Sequence, residues 1–417
     1  MLAEISVNNF KSLNPLSLKL KPLTILIGPN GSGKSSVLQA LLVLKKLFLR
    51  GGNIKLPELF VLDNYVNMGS WTDITYKPGN PIKIGVSIVE NNLTYRVDAT
   101  LFRDNKVNMG ATIVYEGRVF KVPPRTISLP YTQKQQTSIG IDIPQARFSL
   151  MWDGFIFTNL SVVRGALPSE FRNRFLRFLN TWFLEIYALP LFTSMFNVPQ
   201  VGMSLDKAAL LNIIRRSLIV RQDHLMALMA LDPDIEDYAM SYVKELFGID
   251  VRGRPLHPNI ARILTRVRKG KTIPIVNEGG GINRAVYMFL TLALANPGST
   301  VLIEEPETNL HPKAQYELAA KLVETVNEGK QIILTTHSEH LLFGVLGAIA
   351  KNIIPLNSVA IYYFRKEKES TMWRQLEIDE KGRVKGGLPG FFEEDIKEIL
   401  ELLRTLRPQE QGQKHEL

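Results

Sequence analysis

Near the N-terminus, Gly28-Pro29-Asn30-Gly31-Ser32-Gly33-Lys34-Ser35 has the residue types and spacing of a phosphate cradle. Glycines let the backbone fold tightly enough for successive N–H groups to converge on one phosphate, and a helix starting near Gly33 adds the positive end of its dipole. Lys34 then spans the β- and γ-phosphates of ATP and the Ser35 hydroxyl ligates Mg²⁺, with Asn30, Gly31, Ser32, Gly33 and Ser36 completing the nucleotide contacts. Far downstream, an apolar run from Ser299 to Ile303 delivers Glu304-Glu305-Pro306-Glu307. Glu304 is placed to hold Mg²⁺ through water, and Glu305 to orient or deprotonate the water that attacks the γ-phosphate. A second apolar run, Gln331 to Thr336, delivers His337, a donor for the γ-phosphate that would sense its loss. Gly279-Gly280-Gly281, ahead of a helix over 285–295, make another anion-binding helix start. One nucleotide already has its own loop, so this second start most economically serves a γ-phosphate bound by another subunit.

These groups need elements to carry them. Leu23-Thr24-Ile25-Leu26-Ile27 reads as a buried parallel strand, and Val37, Leu38, Leu41, Leu42, Leu44 and Phe48 recur at helical spacing until Gly51-Gly52. Acidic residues at the carboxyl end of a parallel strand stand where an open α/β sheet places its ligand. Before the loop, Ile5, Val7 and Phe10, then Leu16, Leu18 and Leu20, alternate as one or two strands able to lie over the adenine side. Residues 60–71 read as a strand running into a glycine turn.

The intervening chain changes period twice. Alternation over 81–165, as in Ile82/Ile84/Val86/Ile88, predicts an antiparallel β layer. Phe171, Phe175, Phe178, Leu179, Trp182, Phe183 and Ile186, and later Leu210, Leu211, Ile214 and Leu218, predict a helical insertion over 166–250, interrupted at Pro190, Pro199 and Pro233. Residues 251–275 read as a basic connector carrying Arg252, Arg254, Arg262, Arg266, Arg268, Lys269 and Lys271 and no acidic residue, a solvated face before a phosphate-backbone contact. The expected units are thus an N-terminal lobe at 1–80, these three segments, a second lobe at 276–370 with the acidic and histidine motifs, and a strand and helix at 371–417.

Composition bounds the class. The 417 residues are 45% hydrophobic and 22% charged, enough to bury a substantial core in two or three units. No run approaches the roughly 18 apolar residues of a membrane span, and the N-terminus opens a strand rather than a basic leader, so the expectation is a cytoplasmic protein. The absence of cysteine excludes disulfides, thiol chemistry and cysteine-ligated zinc. A net charge of +10 favours an acidic partner, nucleic acid before membrane.

In their order, these motifs resemble the ABC-type ATPases of the SMC, RecF and OLD group, often called AAA family ATPases. The resemblance implies an α/β ABC-type P-loop NTPase head with a mixed central sheet, an antiparallel β layer and an inserted helical subdomain. It implies Walker A at 28–35, a signature-like motif at 277–284, Walker B at 301–305, a D-loop from Glu307 to Pro312, and His337 as switch histidine. Ile303-Glu304-Glu305-Pro306-Glu307, Leu310-His311-Pro312, Thr335-Thr336-His337-Ser338, Tyr65-Val66-Asn67-Met68-Gly69-Ser70 and the closing 387–393 are similar to the OLD branch. The implied activity is Mg²⁺-dependent ATP hydrolysis by a head-to-tail, ATP-dependent homodimer acting on DNA or handing its motion to an effector protein. Three departures stand out: no serine beside Gly279–Gly281, no Q-loop glutamine, for which the Asn67 segment substitutes, and Glu304 where most ABC proteins have Asp. The OLD nuclease domain has no counterpart before Leu417, so the expectation is of the ATPase alone.

Overall fold

The computed structural model describes all residues except 64, 145, 167–168, 190–206, 258–259, 267–269 and 388–417. The chain opens with β1 (Leu2–Asn8), β2 (Leu16–Lys19), β3 (Leu23–Ile27) and α1 (Lys34–Leu49), then α2 (Leu56–Leu59), the short hairpin β4 (Val61–Leu62) and β5 (Val66–Asn67), and α3 (Trp71–Ile74). Long strands follow: β6 (Ile82–Glu90), β7 (Leu93–Phe102), β8 (Lys106–Tyr115), β9 (Arg118–Ser128), β10 (Thr137–Ile143), β11 (Ala146–Trp152) and β12 (Phe157–Gly165). After α4 (Ser169–Thr181) come β13 (Ile186–Leu189), α5 (Lys207–Arg216), α6 (Gln222–Leu231) and α7 (Pro233–Phe247), then β14 (Asp250–His257), β15 (Ile260–Arg266) and β16 (Thr272–Pro274). The last part is α8 (Gly280–Leu294), β17 (Thr300–Glu304), α9 (Pro312–Asn327), β18 (Gln331–Thr336), α10 (Glu339–Ala350), β19 (Val359–Glu367) and β20 (Ser370–Gln375).

The central sheet runs β13-β17-β18-β3-β19-β20, all parallel except β20, which returns antiparallel on β19. The central strands β3, β13, β17 and β18 are buried throughout because both faces are covered, while the antiparallel edge strand β20 carries polar, exposed side chains. Leu26, Leu302 and Ile333 face a core shared with α1 and the antiparallel sheet, while Ile25, Val301, Ile303, Ile332 and Leu334 face the core formed with α5–α10. That division follows from the two-residue period of a strand. Helix α1 lies between two sheets, and this explains its weak amphipathicity: from Lys34 to Phe48 every residue but Ser35 is buried.

The antiparallel layer is a six-stranded sheet, β2-β1-β6-β7-β8-β9, and a separate three-stranded sheet, β10-β11-β12. Strands β1 and β2, placed by the sequence reading in the first lobe, belong to this layer, since β1 pairs with β6. The helical insertion expected over 166–250 is broken by β13, an edge strand of the central sheet. The aromatic spacing hides it, because Trp182–Glu185 forms a 3-10 turn and Ile186 begins a strand of only four residues. The connector expected over 251–275 is instead the three-stranded sheet β14-β15-β16, whose backbone pairing an arginine count does not reveal. Strand β20 crosses the boundary set at residue 371; Pro190, Pro199, Arg268, Lys269 and the segment expected to form a C-terminal helix lie outside the described residues, as does most of the 387–393 motif.

Candidate nucleotide site

The phosphate loop leaves β3 and enters α1 at Gly33, whose φ of 99° is left-handed. A Cβ there would also sit 2.4 Å from the Thr371 hydroxyl, so both conformation and space require glycine. That hydroxyl, on β20, donates to Ser32 O (2.8 Å) and lies 2.7 Å from Ser12 Oγ, while Thr371 N donates to Ser12 O (2.8 Å). The loop is thus braced from behind by β20 and by the turn between β1 and β2. Lys34 Nζ donates to Gly28 O (2.8 Å) and Pro29 O (2.9 Å). Burial pulls its pKa down to about 8, against the attraction of Glu305 and Glu307.

Strand register brings the remaining groups to the same edge. Glu304 pairs with Thr335, and Thr335 with Leu26, so the ends of β17, β18 and β3 are level. Glu305 has a left-handed φ of 42°, an uncommon conformation for a residue with a side chain. Its N–H donates to Thr335 O (2.9 Å), and its carbonyl accepts from Thr308 N (3.1 Å), Thr308 Oγ1 (2.9 Å) and Arg284 Nε (3.2 Å). The Glu305 carboxylate then lies 3.5 Å from His337 Nε2. The hydrogen bond from His337 holds its pKa below the ordinary glutamate value despite partial burial, with Lys34 and Arg284 assisting.

Glu304 is buried behind this edge, close enough to the Tyr65 hydroxyl for its charge to act on it. Burial first, then the Glu304 charge, raises the Tyr65 pKa. Lys11 Nζ donates to Gln39 Oε1 (2.6 Å), tying the β1–β2 turn to α1. Asn67 does not reach the site: its Oδ1 accepts from Gly69 N (3.0 Å) in its own exposed loop. Tyr65 is the residue of that segment that lies near Glu304.

A cavity of about 520 Å³ is lined by Asn30, Gly31, Ser32, Gly33, Lys34, Ser35 and Ser36 together with Glu305 and His337. Lys11, Ser12, Thr75, Tyr76 and Lys366 add walls that no sequence motif announced. Gly279, Gly280 and Gly281 line a different cavity, of about 450 Å³, beside Asn309, Leu310 and His311, and the two cavities share no lining residue. Gly281 is packed against the loop after β17, since a Cβ there would meet Asn309 O at 2.4 Å. A cavity of about 530 Å³ around Arg174, Arg177 and Glu185 opens near the start of β17 and holds none of the candidate site residues. The oxygen donors Ser35 and Glu304, beside a phosphate cradle, suit Mg²⁺, which takes few protein ligands alongside phosphate oxygens.

A phosphate cradle between β3 and α1, with carboxylates and a histidine at the ends of neighbouring parallel strands, defines a P-loop ATPase of the ABC type. The chain belongs to the family described as AAA ATPase domain, whose model matches residues 1–108 and 227–342. A second model, described as a protein of unknown function (DUF3696), matches residues 354–402. The chain is 25% identical over 430 residues to the OLD nuclease of Thermus scotoductus, covering 97% of this chain and 71% of that protein. It is 22% identical over 371 residues to the Old nuclease of Escherichia phage P2, covering 82% of this chain and 57% of that one. Among solved structures, an Smc head bound to the C-winged helix domain of ScpA covers 91% of this chain and 98% of its own, at 14% identity and a TM-score of 0.49. The SMC head domain from Thermotoga maritima covers 90% and 99%, at 14% identity and a TM-score of 0.42.

Proposed function

We propose that this chain binds ATP with Mg²⁺ in the cavity of the phosphate loop and hydrolyses it as a head-to-tail dimer. The observation that carries the reading is the separation just described. Glu305 and His337 face the phosphate loop of their own chain, while Gly279–Gly281 line another cavity, so a γ-phosphate would meet both only if a second copy supplies the glycines. Lys34 would leave Gly28 O and Pro29 O for the phosphate oxygens and stabilise the charge of the transferred group. Glu305 would accept a hydrogen bond from the attacking water, and His337 would donate to the γ-phosphate. The Ser35 hydroxyl and, through water, Glu304 would hold Mg²⁺, which would neutralise phosphate charge when bound. ATP then closes the dimer and hydrolysis reopens it.

We place this activity in the cytoplasm, in DNA-related or phage-defence processes. The named relatives are nucleases, and the chain carries a net charge of +10. Among the described residues no helix is long and apolar enough to cross a membrane. A second reading, a nucleotide-gated scaffold with negligible hydrolysis that signals to an effector, draws on the glycine turn itself, which has no serine beside it to meet a partner's phosphate.

The test compares wild type and Glu305→Gln by steady-state and single-turnover ATP hydrolysis, and by light scattering with and without ATP. Expected are wild-type turnover, a loss of about 100-fold or more in the variant, and an ATP-dependent dimer that the variant retains. Wild-type hydrolysis at the solvent rate would favour the scaffold. Equal turnover of both proteins would remove Glu305 from the mechanism. Repeating the assay with duplex DNA across a salt series tests the nucleic-acid partner, which fails if rate and binding are both indifferent.

A further inference from the structure

Behind Glu305 and His337 lie two further buried ionisable groups, Glu307 and Arg284, whose roles the motifs that contain them do not specify. Glu307 is 8% exposed, yet its Oε1 accepts from His337 N (2.8 Å) and from Thr336 Oγ1 (2.7 Å). Arg284, on α8 three residues after Gly281, is 3% exposed, and donates to the main-chain oxygens of Glu304 and Glu305. Burial opposes the Arg284 charge, and of the carboxylates that restore it Glu307 acts most strongly. Burying two ionisable groups beside a binding site is costly, and burial raises the Glu307 pKa, but the geometry shows what they do: neither reaches the substrate cavity, and each bonds the backbone of a residue whose side chain does. Glu305 needs such support, because a left-handed glutamate persists only where its surroundings over-determine it.

We propose that Arg284 and Glu307 form a positioning pair for hydrolysis, Arg284 fixing the main chain of Glu305 and Glu307 that of His337, so that the two side chains meet at the γ-phosphate. Because Arg284 belongs to the helix that starts at Gly280, the pair also ties the glycine turn presented to a partner to the hydrolytic edge of its own chain. The role in turnover rests on the ATPase reading above. The placement of His337 does not.

The experiment therefore has two readouts. The first is ATP hydrolysis by wild type, Glu307→Ala, Glu307→Gln and Arg284→Lys; the second is amide hydrogen exchange of 331–339 and 300–310 in the nucleotide-free proteins. Glu307→Ala should lower kcat at least tenfold with KM within threefold of wild type, and should speed exchange at His337 without changing 23–36. Glu307→Gln, which keeps the accepting oxygen, should recover kcat to within about fivefold. Arg284→Lys should lower kcat and speed exchange at Thr308, whose N–H shares the Glu305 carbonyl. If Glu307→Ala does not fold, Glu307→Asp, which withdraws the oxygen by one methylene, takes its place. Unchanged kcat, KM rising in step with the loss of kcat, or unchanged exchange at His337 would overturn the pair. Absence of turnover in the wild type would overturn the ATPase reading, and exchange would still decide whether Glu307 holds His337.

Discussion

Glu305 and His337, 32 residues apart in sequence, meet at 3.5 Å between Oε1 and Nε2 across the ends of two adjacent parallel strands. That contact has a consequence for pH. The bond from His337 is the largest influence holding the Glu305 pKa low, so Glu305 stays ionised at pH values where a free glutamate would begin to protonate. Removing the imidazole in His337→Ala should raise that pKa toward its ordinary value. The acid limb of the kcat profile should then move to higher pH, in addition to a loss of about 100-fold at neutral pH. Rate profiles between pH 4 and 8 check this, and an unshifted acid limb would separate the two residues functionally.

Lys34 carries a second prediction. Without nucleotide its pKa is about 8, because it is buried against Gly28 O and Pro29 O. Triphosphate oxygens favour the ammonium and must raise that value, so binding takes up protons at any pH between the two. Calorimetry at about pH 8.5 in two buffers of different ionisation heat should show net proton uptake, smaller at pH 6.5, where Lys34 is already charged. Lys34→Met should lose the uptake together with most of the affinity.

Lys45 lies further along α1, 1% exposed, donating to Ile186 O (2.5 Å) and Ser217 O (2.7 Å). Burial lowers its pKa to about 7, whereas an unfolded chain would hold that proton up to about 10.4. Between these values the unfolded state binds more protons, so stability from this residue rises as pH rises from 7 toward 10 and is lowest below 7. Thermal melts of Lys45→Met across that range should lose this slope relative to wild type. Parallel melting curves would mean that Lys45 does not titrate there.

Thr371 braces the phosphate loop from 339 residues away. In Thr371→Val the bond to Ser32 O is lost with little change in shape, at a cost of about 1 kcal/mol. Nucleotide affinity should fall by roughly fivefold, since 1.4 kcal/mol is a factor of ten. Equilibrium binding of ATP to wild type and variant measures it directly, and equal affinities would assign Thr371 to packing alone.

The parts legible in the sequence are those whose chemistry is local. A phosphate loop uses consecutive backbone N–H groups, so Gly28–Ser35 specifies the cradle in one stretch, and an apolar run ending in Glu304 and Glu305 or in His337 declares both a strand and what it presents. The alternation over 81–165 likewise announces antiparallel strands, because each side chain's exposure is set by its neighbours in the chain. What the tertiary structure alone decided are the contacts made across the chain. Strands β1 and β2 joined the antiparallel layer, β13 left the helical region for the central sheet, and 251–275 paired with itself, since strand pairing depends on partners that no window of sequence contains. The same holds for the groups around the site: Thr371, which braces Ser32, belongs to no motif, and Tyr65, Arg284 and Glu307, though inside motifs, carry no sign there of the groups they meet. The sequence by itself determined which residues could do chemistry here. Folding decided what holds it in place, because a side chain that supports a distant backbone leaves no period to read.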